Sequence, residues 1–212
     1  KDGPKNRLRD QDVHKIVDTF TRMADVPRYA RMVSFAEISD PKNAFNLNLP
    51  RYIDSSEPED IQDIDGHLRG GIPERDIDAL NSYWQVMPAL RAALFKPASH
   101  PGYFELVSPE VKPVIFGHPQ FTAFKAGVDT LFNQWLASSI PQLKGFAADE
   151  ASSHPKELIF KLSEELLSAF AKAPLLDHYD IYQHLMDYWA ETMQDDCYLI
   201  SADGWKAGAT VR

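Results

Sequence analysis

Cysteine is nearly absent from this sequence, since Cys197 is the one cysteine among 212 residues. A single cysteine excludes an intrachain disulfide framework, and we expect it to be a small buried hydrophobic residue in a protein of the reducing cytoplasm. No run of about 18 uncharged apolar residues occurs, which excludes a membrane-spanning helix. Residues 1–10 are charged and lack the apolar core of a signal peptide. The first residue is Lys1 rather than Met, so we expect a fragment or a processed chain.

Excess positive charge is also missing. The formal net charge is -9, which is not typical of a chain that binds nucleic acid non-specifically along its whole length. The charge is uneven, because residues 1–31 carry a net charge of +3 whereas residues 54–65 hold six acidic residues and no basic one. The basic N-terminal segment is compatible with phosphate contacts, but a solvated helix face is the favoured interpretation.

Hydrophobic residues make up 44% of the chain, enough for a packed core, and most of them recur at helical spacing. One stripe follows Asp10 or Asp12 as the expected cap and ends before Pro27; a longer helix from Glu74 is expected to kink at Pro88. Three further helical patterns cover residues 121–135, 158–170 and 181–193, and they predict a bundle. Short strands are expected at 45–49, 103–107, 114–116 and 197–200. The sequence therefore predicts a mainly α fold, a helical bundle-like domain with a few short peripheral strands.

The stretch Asn46 to Asp54, N-L-N-L-P-R-Y-I-D, allows two interpretations. Its Asn48-Leu49-Pro50-Arg51-Tyr52 core is similar to the Asn-Pro-Pro-Tyr loop that holds a flipped adenine in amino-methyltransferases. However, Leu49 stands where the first proline is needed, and Arg51 separates Pro50 from Tyr52. A Gly-rich cofactor turn after a buried strand is missing too, since Gly70-Gly71 follows a polar segment. We therefore interpret the stretch as a strand that ends at Pro50.

Other residues give little sign of chemistry. Asp195-Asp196 with His178 or His184 matches no metal-ligand spacing, and no serine lies in a nucleophile elbow. The tryptophans at 84, 135 and 189 lie on apolar stripes and are expected in the core. We predict no catalytic, cofactor-binding or metal-binding residue. The candidate DNA-phosphate contacts are Lys5, Arg7 and Arg9 ahead of the first helix, and Arg51 more weakly.

Three stretches of this chain resemble the modification (methyltransferase) subunit of type I restriction–modification systems. They are KDGPKNRLRDQDVHKIVDTF, VPRYARMVSFAEISDPKNAFNLNLPRYID and YWAETMQDDCYLISADGW. The resemblance implies that residues 1–53 close the methyltransferase domain and that residues 54–212 form a helical C-terminal region. The chain would then be a C-terminal fragment of the subunit.

The same resemblance implies an enzyme that transfers methyl from S-adenosylmethionine to N6 of adenine in DNA. The cofactor turn and the Asn-Pro-Pro-aromatic loop of that family lie upstream of Lys1, so this chain is expected to bind no cofactor and to be inactive alone. The implied partners are a specificity subunit, through it the restriction subunit, and DNA, with no membrane, in the cytoplasm.

The alternative is an independent helical adaptor, a protein-interaction module with no catalytic activity. The encoding reading frame discriminates between the two. An Asn-Pro-Pro-Tyr/Phe motif within about two hundred residues upstream would favour the methyltransferase fragment. A start codon near Lys1 would favour the adaptor.

Overall fold

The computed structural model describes residues 6–56, 62–147 and 154–208. The chain divides into two compact units, Lys1–Ile61 and Gln62–Arg212. Helices account for most of the described residues, and the strands among them form one small sheet, so the predicted mainly α fold is confirmed.

The first unit contains helices α1 (Asp10–Thr21) and α2 (Phe35–Ser39) and a short 3₁₀ turn (Leu49–Arg51). Arg9 is the N-cap of α1, and Asp12 stabilises this end because its Oδ2 accepts from the backbone N–H of Arg9 at 2.9 Å. Asp10 and Asp12, the two expected caps, thus both lie in the first turn of α1 rather than at its N-cap. The helix ends six residues before Pro27, and Met23 follows with a left-handed φ of 49°.

The strand expected at 45–49 is wrong. Residues 40–52 form a loop of turns that ends in the 3₁₀ turn, and Pro50 lies within that turn. Ala44 and Phe45 adopt φ values of 48° and 58°, which pairing in a strand does not allow. The alternation of apolar and polar residues at 45–49 therefore does not indicate a half-buried strand, because the backbone there is an irregular loop.

The second unit begins with short elements around a three-stranded antiparallel sheet. The helices are α3 (Ile64–Arg69), α4 (Glu74–Asp78), α5 (Asn81–Val86), α6 (Pro88–Leu94) and α7 (Val111–Gly117). The strands are β1 (Ile72–Pro73), β2 (Phe95–Pro97) and β3 (Tyr103–Leu106), in the order β1-β3-β2. Ile72 pairs with Phe104, and Phe95 pairs with Leu106. Met87, Leu90 and Leu94 form a small core beneath these elements.

Two expectations for this region need correction. The single helix from Glu74 with a kink at Pro88 is instead three short helices, and Pro88 begins α6, where a missing N–H leaves no hydrogen bond unmade. The expected strand at 114–116 lies inside α7. The strand at 103–107 is confirmed as β3, which ends at Leu106.

Long helices form the rest of the second unit, and the three expected helical patterns are confirmed. They are α8 (Pro119–Gly145), α9 (Pro155–Phe170) and α10 (His178–Tyr188), which continues into a π-helical turn (Trp189–Met193). Helices α11 (Gln194–Asp203) and α12 (Trp205–Gly208) follow, so the strand expected at 197–200 is wrong. Helix α9 packs against α8, α10 and α11. The buried core of this bundle contains Phe146, Leu158, Ile159, Leu162, Trp189, Cys197 and Ile200.

No helix within residues 6–56, 62–147 and 154–208 is long and apolar enough to cross a membrane.

Candidate nucleic-acid interface

Helix α1 turns its polar side inward and its apolar side outward. Gln11 is buried, and the side chains of His14 and Asp18 are 19% and 21% exposed. By contrast, Phe20 is 83% exposed. The exposed apolar face consists of Val13, Ile16, Val17 and Phe20 on the helix, with Met23 two residues beyond its end. A soluble helix normally has the reverse arrangement, and the residues that the structure describes leave this face largely uncovered.

An apolar cavity of about 530 Å³ adjoins this face. It lies between the second half of α1 and residues 29–32, and its lining includes Ile16, Phe20, Met23, Tyr29 and Met32. Lys15 places its ammonium 5.1 Å from the centre of the Tyr29 ring, so a cation–π contact connects the two sides. The cavity extends the apolar face of α1 into a concave surface.

The predicted phosphate contacts lie on two segments of the first unit. Lys5 lies outside the described residues, and Arg7 and Arg9 precede α1. The guanidinium of Arg9 is already held by Asp12, with 3.2 Å from Nε to Oδ2 and 3.1 Å from Nη2 to Oδ1. Hydrogen bonds from the Arg9 side chain and backbone keep the pKa of Asp12 below its usual value. Arg9 is therefore partly neutralised where it stands.

Arg51 lies at the end of the 40–52 loop, a segment that its own hydrogen bonds hold in shape. Arg51 donates to the carbonyl of Lys42 at 3.4 Å, and the hydroxyl of Tyr52 donates to the carbonyl of Asn46 at 2.6 Å. The backbone N–H of Asn48 donates to the side-chain oxygen of Asn46 at 2.9 Å. These bonds close the loop upon itself.

The loop is joined to α2 by further hydrogen bonds. The side-chain amide of Asn43 donates to the carbonyl of Glu37 at 2.8 Å, and the backbone N–H of Phe45 donates to the carbonyl of Ile38 at 3.0 Å. Despite this support, Phe45, Leu47 and Leu49 are exposed by 60%, 70% and 69%. The alternating Leu and Asn of this region are the signal visible in the sequence, and they predict a strand where the structure has a loop.

The second unit contains one connected polar cluster beside its sheet. Oδ1 of Asp63 accepts from the backbone N–H of Gly66 and from the hydroxyl of Tyr103, both at 2.8 Å. Oδ2 of Asp63 lies 3.1 Å from Arg75. The hydrogen bond from Gly66, followed by that from Tyr103, lowers the pKa of Asp63, and the same carboxylate raises the pKa of Tyr103. This cluster ties α3 to β3 and is a structural cap.

The remaining candidates are structural in the described parts of the chain. Asp195 and Asp196 lie in the first turn of α11, and no group of three or more His, Cys, Asp or Glu side chains there is placed to hold a metal. Cys197 is buried in the bundle core, as expected, and burial raises the pKa of its thiol. Trp189 is buried, while Trp84 and Trp135 are partly buried against the two cores, which confirms them as packing residues.

The comparisons with known proteins bear on the first unit. The family model described as N-6 DNA Methylase matches residues 1–61. No curated protein and no solved structure matches the chain. The match supports a relationship to DNA N6 methyltransferases, a family that uses S-adenosylmethionine, and it ends at the boundary of the first compact unit.

Proposed function

We propose that this chain is the C-terminal part of the modification subunit of a type I restriction–modification enzyme. In this proposal, residues 1–53 close a catalytic domain that transfers methyl from S-adenosylmethionine to N6 of adenine in DNA. Residues 54–212 form a helical region that binds the specificity subunit or DNA. The specificity subunit in turn connects this region to the restriction subunit. The enzyme acts in the cytoplasm.

The observation that carries the proposal is the outward apolar face of α1, on the same residues that match the methylase family. The four apolar side chains on this face of α1, together with Met23 just beyond it, favour burial by about 25 cal/mol for each Å² removed from water. The rest of a catalytic domain, packed on this face, would supply that burial. The polar side of α1 is already largely covered within its own unit, where Gln11 is buried and the side chains of His14 and Asp18 are 19% and 21% exposed.

The proposed inactivity of the chain alone is supported by the position of Gly70-Gly71, the one pair of adjacent glycines in the sequence. A cofactor turn needs glycines after a buried strand, at the N-terminus of a helix. Here Gly70 and Gly71 follow α3 and precede β1, with φ values of 80° and 96°. Their φ values serve a helix end and a turn, so S-adenosylmethionine would be bound by residues that precede Lys1.

The docking role rests on the second unit. The bundle has its own core, yet it also exposes large apolar side chains, among them Phe160 at 65% and Tyr188 at 57%. Exposed aromatic side chains on a stable helical scaffold are suited to a protein partner. The specificity subunit is the partner that the proposal requires.

The test compares this chain with the product of the complete reading frame. Calorimetry should detect S-adenosylmethionine binding by the full-length product and none by the 212-residue chain. Cells that express the full-length product with its specificity subunit should acquire N6-methyladenine in their DNA. Binding of S-adenosylmethionine by the 212-residue chain alone would refute the proposal that the cofactor is bound outside this chain. A start codon near Lys1 together with no methylation would favour the independent adaptor.

A further inference from the structure

We propose that the 40–52 loop is a DNA-contact element that inserts Leu47 and Leu49 between bases or into a groove. Asn48 would face base edges between the two leucines, while Lys42 and Arg51 bind phosphates. This inference rests on the proposed function, because it supposes that the complete protein acts on DNA. It assigns a role to the stretch N-L-N-L-P-R that the base-holding loop of amino-methyltransferases does not explain.

Two exposed leucines lie on a backbone that hydrogen bonds hold in place. Leu47 and Leu49 are 70% and 69% exposed, but the loop that carries them is fixed by the hydrogen bonds of Asn43, Asn46 and Tyr52. The 3₁₀ turn adds bonds from the N–H groups of Tyr52 and Ile53 to the carbonyl of Leu49, both 2.9 Å long. A side chain that separates stacked bases needs such support, since a loose loop would yield instead of the DNA.

The loop also carries positive charge. Lys42 and Arg51 are the only charged residues between Asp40 and Asp54, and both are positive. Neither forms an ion pair with any residue that the structure describes. Phosphates would neutralise these cations on either side of the leucines.

An apolar protein surface is a poor partner for this loop. Burial of the leucines against an apolar protein surface would also bury the Asn48 amide and bring the two cations out of water. An amide without a hydrogen-bond partner and an unpaired cation both oppose such burial. Asn48 makes no side-chain hydrogen bond with the described residues, and asparagine pairs well with the edge of adenine. DNA offers partners for all of these groups at once.

The chemistry of the proposed reaction also requires an element that acts on stacked bases. An enzyme that modifies N6 of adenine in a duplex must turn the base out of the stack. Apolar side chains such as leucine are the kind that separate or replace stacked bases. The loop supplies two of them beside a base-reading amide.

The experiment places the photoreactive residue p-benzoyl-phenylalanine at position 47 of the full-length product. The labelled probe is unmethylated plasmid DNA, with the specificity subunit present. The matched control carries the same residue at position 20, because Phe20 is also exposed in the first unit but belongs to the face of α1 that we expect to be covered by protein.

We expect DNA cross-linking at position 47 to exceed that at position 20 by about ten-fold, as a groove-inserted position should. Equal yields at the two positions, or cross-links from position 47 to protein alone, would overturn the inference. Methylation of the plasmid by the unsubstituted protein is measured in parallel. Its absence would refute the proposed function, whereas methylation without cross-linking to DNA at position 47 would refute the loop alone.

Discussion

The carboxylate of Asp63 is a single group whose charge holds two elements together. It accepts hydrogen bonds from Gly66 and Tyr103 and pairs with Arg75, and its pKa is lowered, chiefly by the bond from Gly66. A carboxyl group with a lowered folded-state pKa stabilises the fold above its unfolded pKa and loses that contribution as the pH falls through the folded value. The stabilisation should therefore be full above about pH 4 and disappear below it.

Asp63→Asn tests this prediction, since asparagine can still cap α3 but carries no charge. Urea unfolding followed by circular dichroism should give a lower midpoint for the variant than for the unsubstituted chain at pH 7. The difference should narrow as the pH is lowered through the acid range. A difference that stays constant from pH 7 to pH 3 would show that the charge of Asp63 contributes nothing.

Arg51 carries a second prediction at this scale. If it binds a phosphate, Arg51→Ala in the full-length complex should weaken binding to target and non-target duplexes alike. The slope of log affinity against log salt should fall in magnitude by about one. Arg9→Ala should change the slope less, because Arg9 is held by Asp12. Equal slopes for the unsubstituted complex and Arg51→Ala would leave Arg51 as surface charge.

Helix α9 packs against α8, α10 and α11, and its residue Leu162 lies in the core of the bundle. Leu162 is 2% exposed in the core, and its carbonyl accepts from the indole N–H of Trp135 on α8 at 3.0 Å. Leu162→Ala should lower the free energy of unfolding by about 2–5 kcal/mol, because it leaves a cavity among packed side chains.

The matched control for this helix is Phe160→Ala. Phe160 lies two residues earlier but is 65% exposed, so its loss should change the free energy of unfolding by less than about 0.5 kcal/mol. Urea titrations of both variants at one pH give the comparison. Similar losses of unfolding free energy for Leu162→Ala and Phe160→Ala would contradict the packing of α9 described above.

The elements also show what sequence patterns can and cannot predict. Helices α8, α9 and α10 were predictable because apolar residues recur every three or four positions over many turns. Residues 197–200 were predicted as a strand from their β-prone side chains, but Cys197 and Ile200 are three positions apart and both face the bundle core from a helix. Tertiary packing outweighs local propensity in so short a run.

The candidate site was less predictable than the fold. Arg51 and Asn48 could be singled out from sequence, but the exposure of Leu47 and Leu49 could not, since alternation alone suggests a half-buried strand. The left-handed backbone at Ala44 and Phe45 breaks that strand, and neither residue signals such a conformation as glycine would. The apolar stripe of α1 was recognised, but a stripe does not reveal whether its partner lies within the chain.

At the scale of the whole molecule, the exposed face of α1 predicts that one substitution destabilises the full-length product but leaves the stability of the 212-residue chain almost unchanged. Phe20→Lys in the 212-residue chain replaces a side chain that is 83% exposed, so the free energy of unfolding should change by less than about 0.5 kcal/mol. In the full-length product, the same lysine would be buried against the catalytic domain. There we expect a loss of about 3 kcal/mol or more, because a large apolar contact disappears and a charge is buried.

Thermal and urea unfolding of both proteins provide the measurement, and Phe160→Lys is the control in each. Phe160 is exposed on the bundle, and without the specificity subunit its substitution should be neutral in both contexts. Phe20→Lys that is neutral in the full-length product as well would show that no domain covers α1, and the proposed closing role of residues 1–53 would then fail. A loss confined to the full-length product would instead identify the apolar face of α1 as an internal contact of a larger catalytic domain.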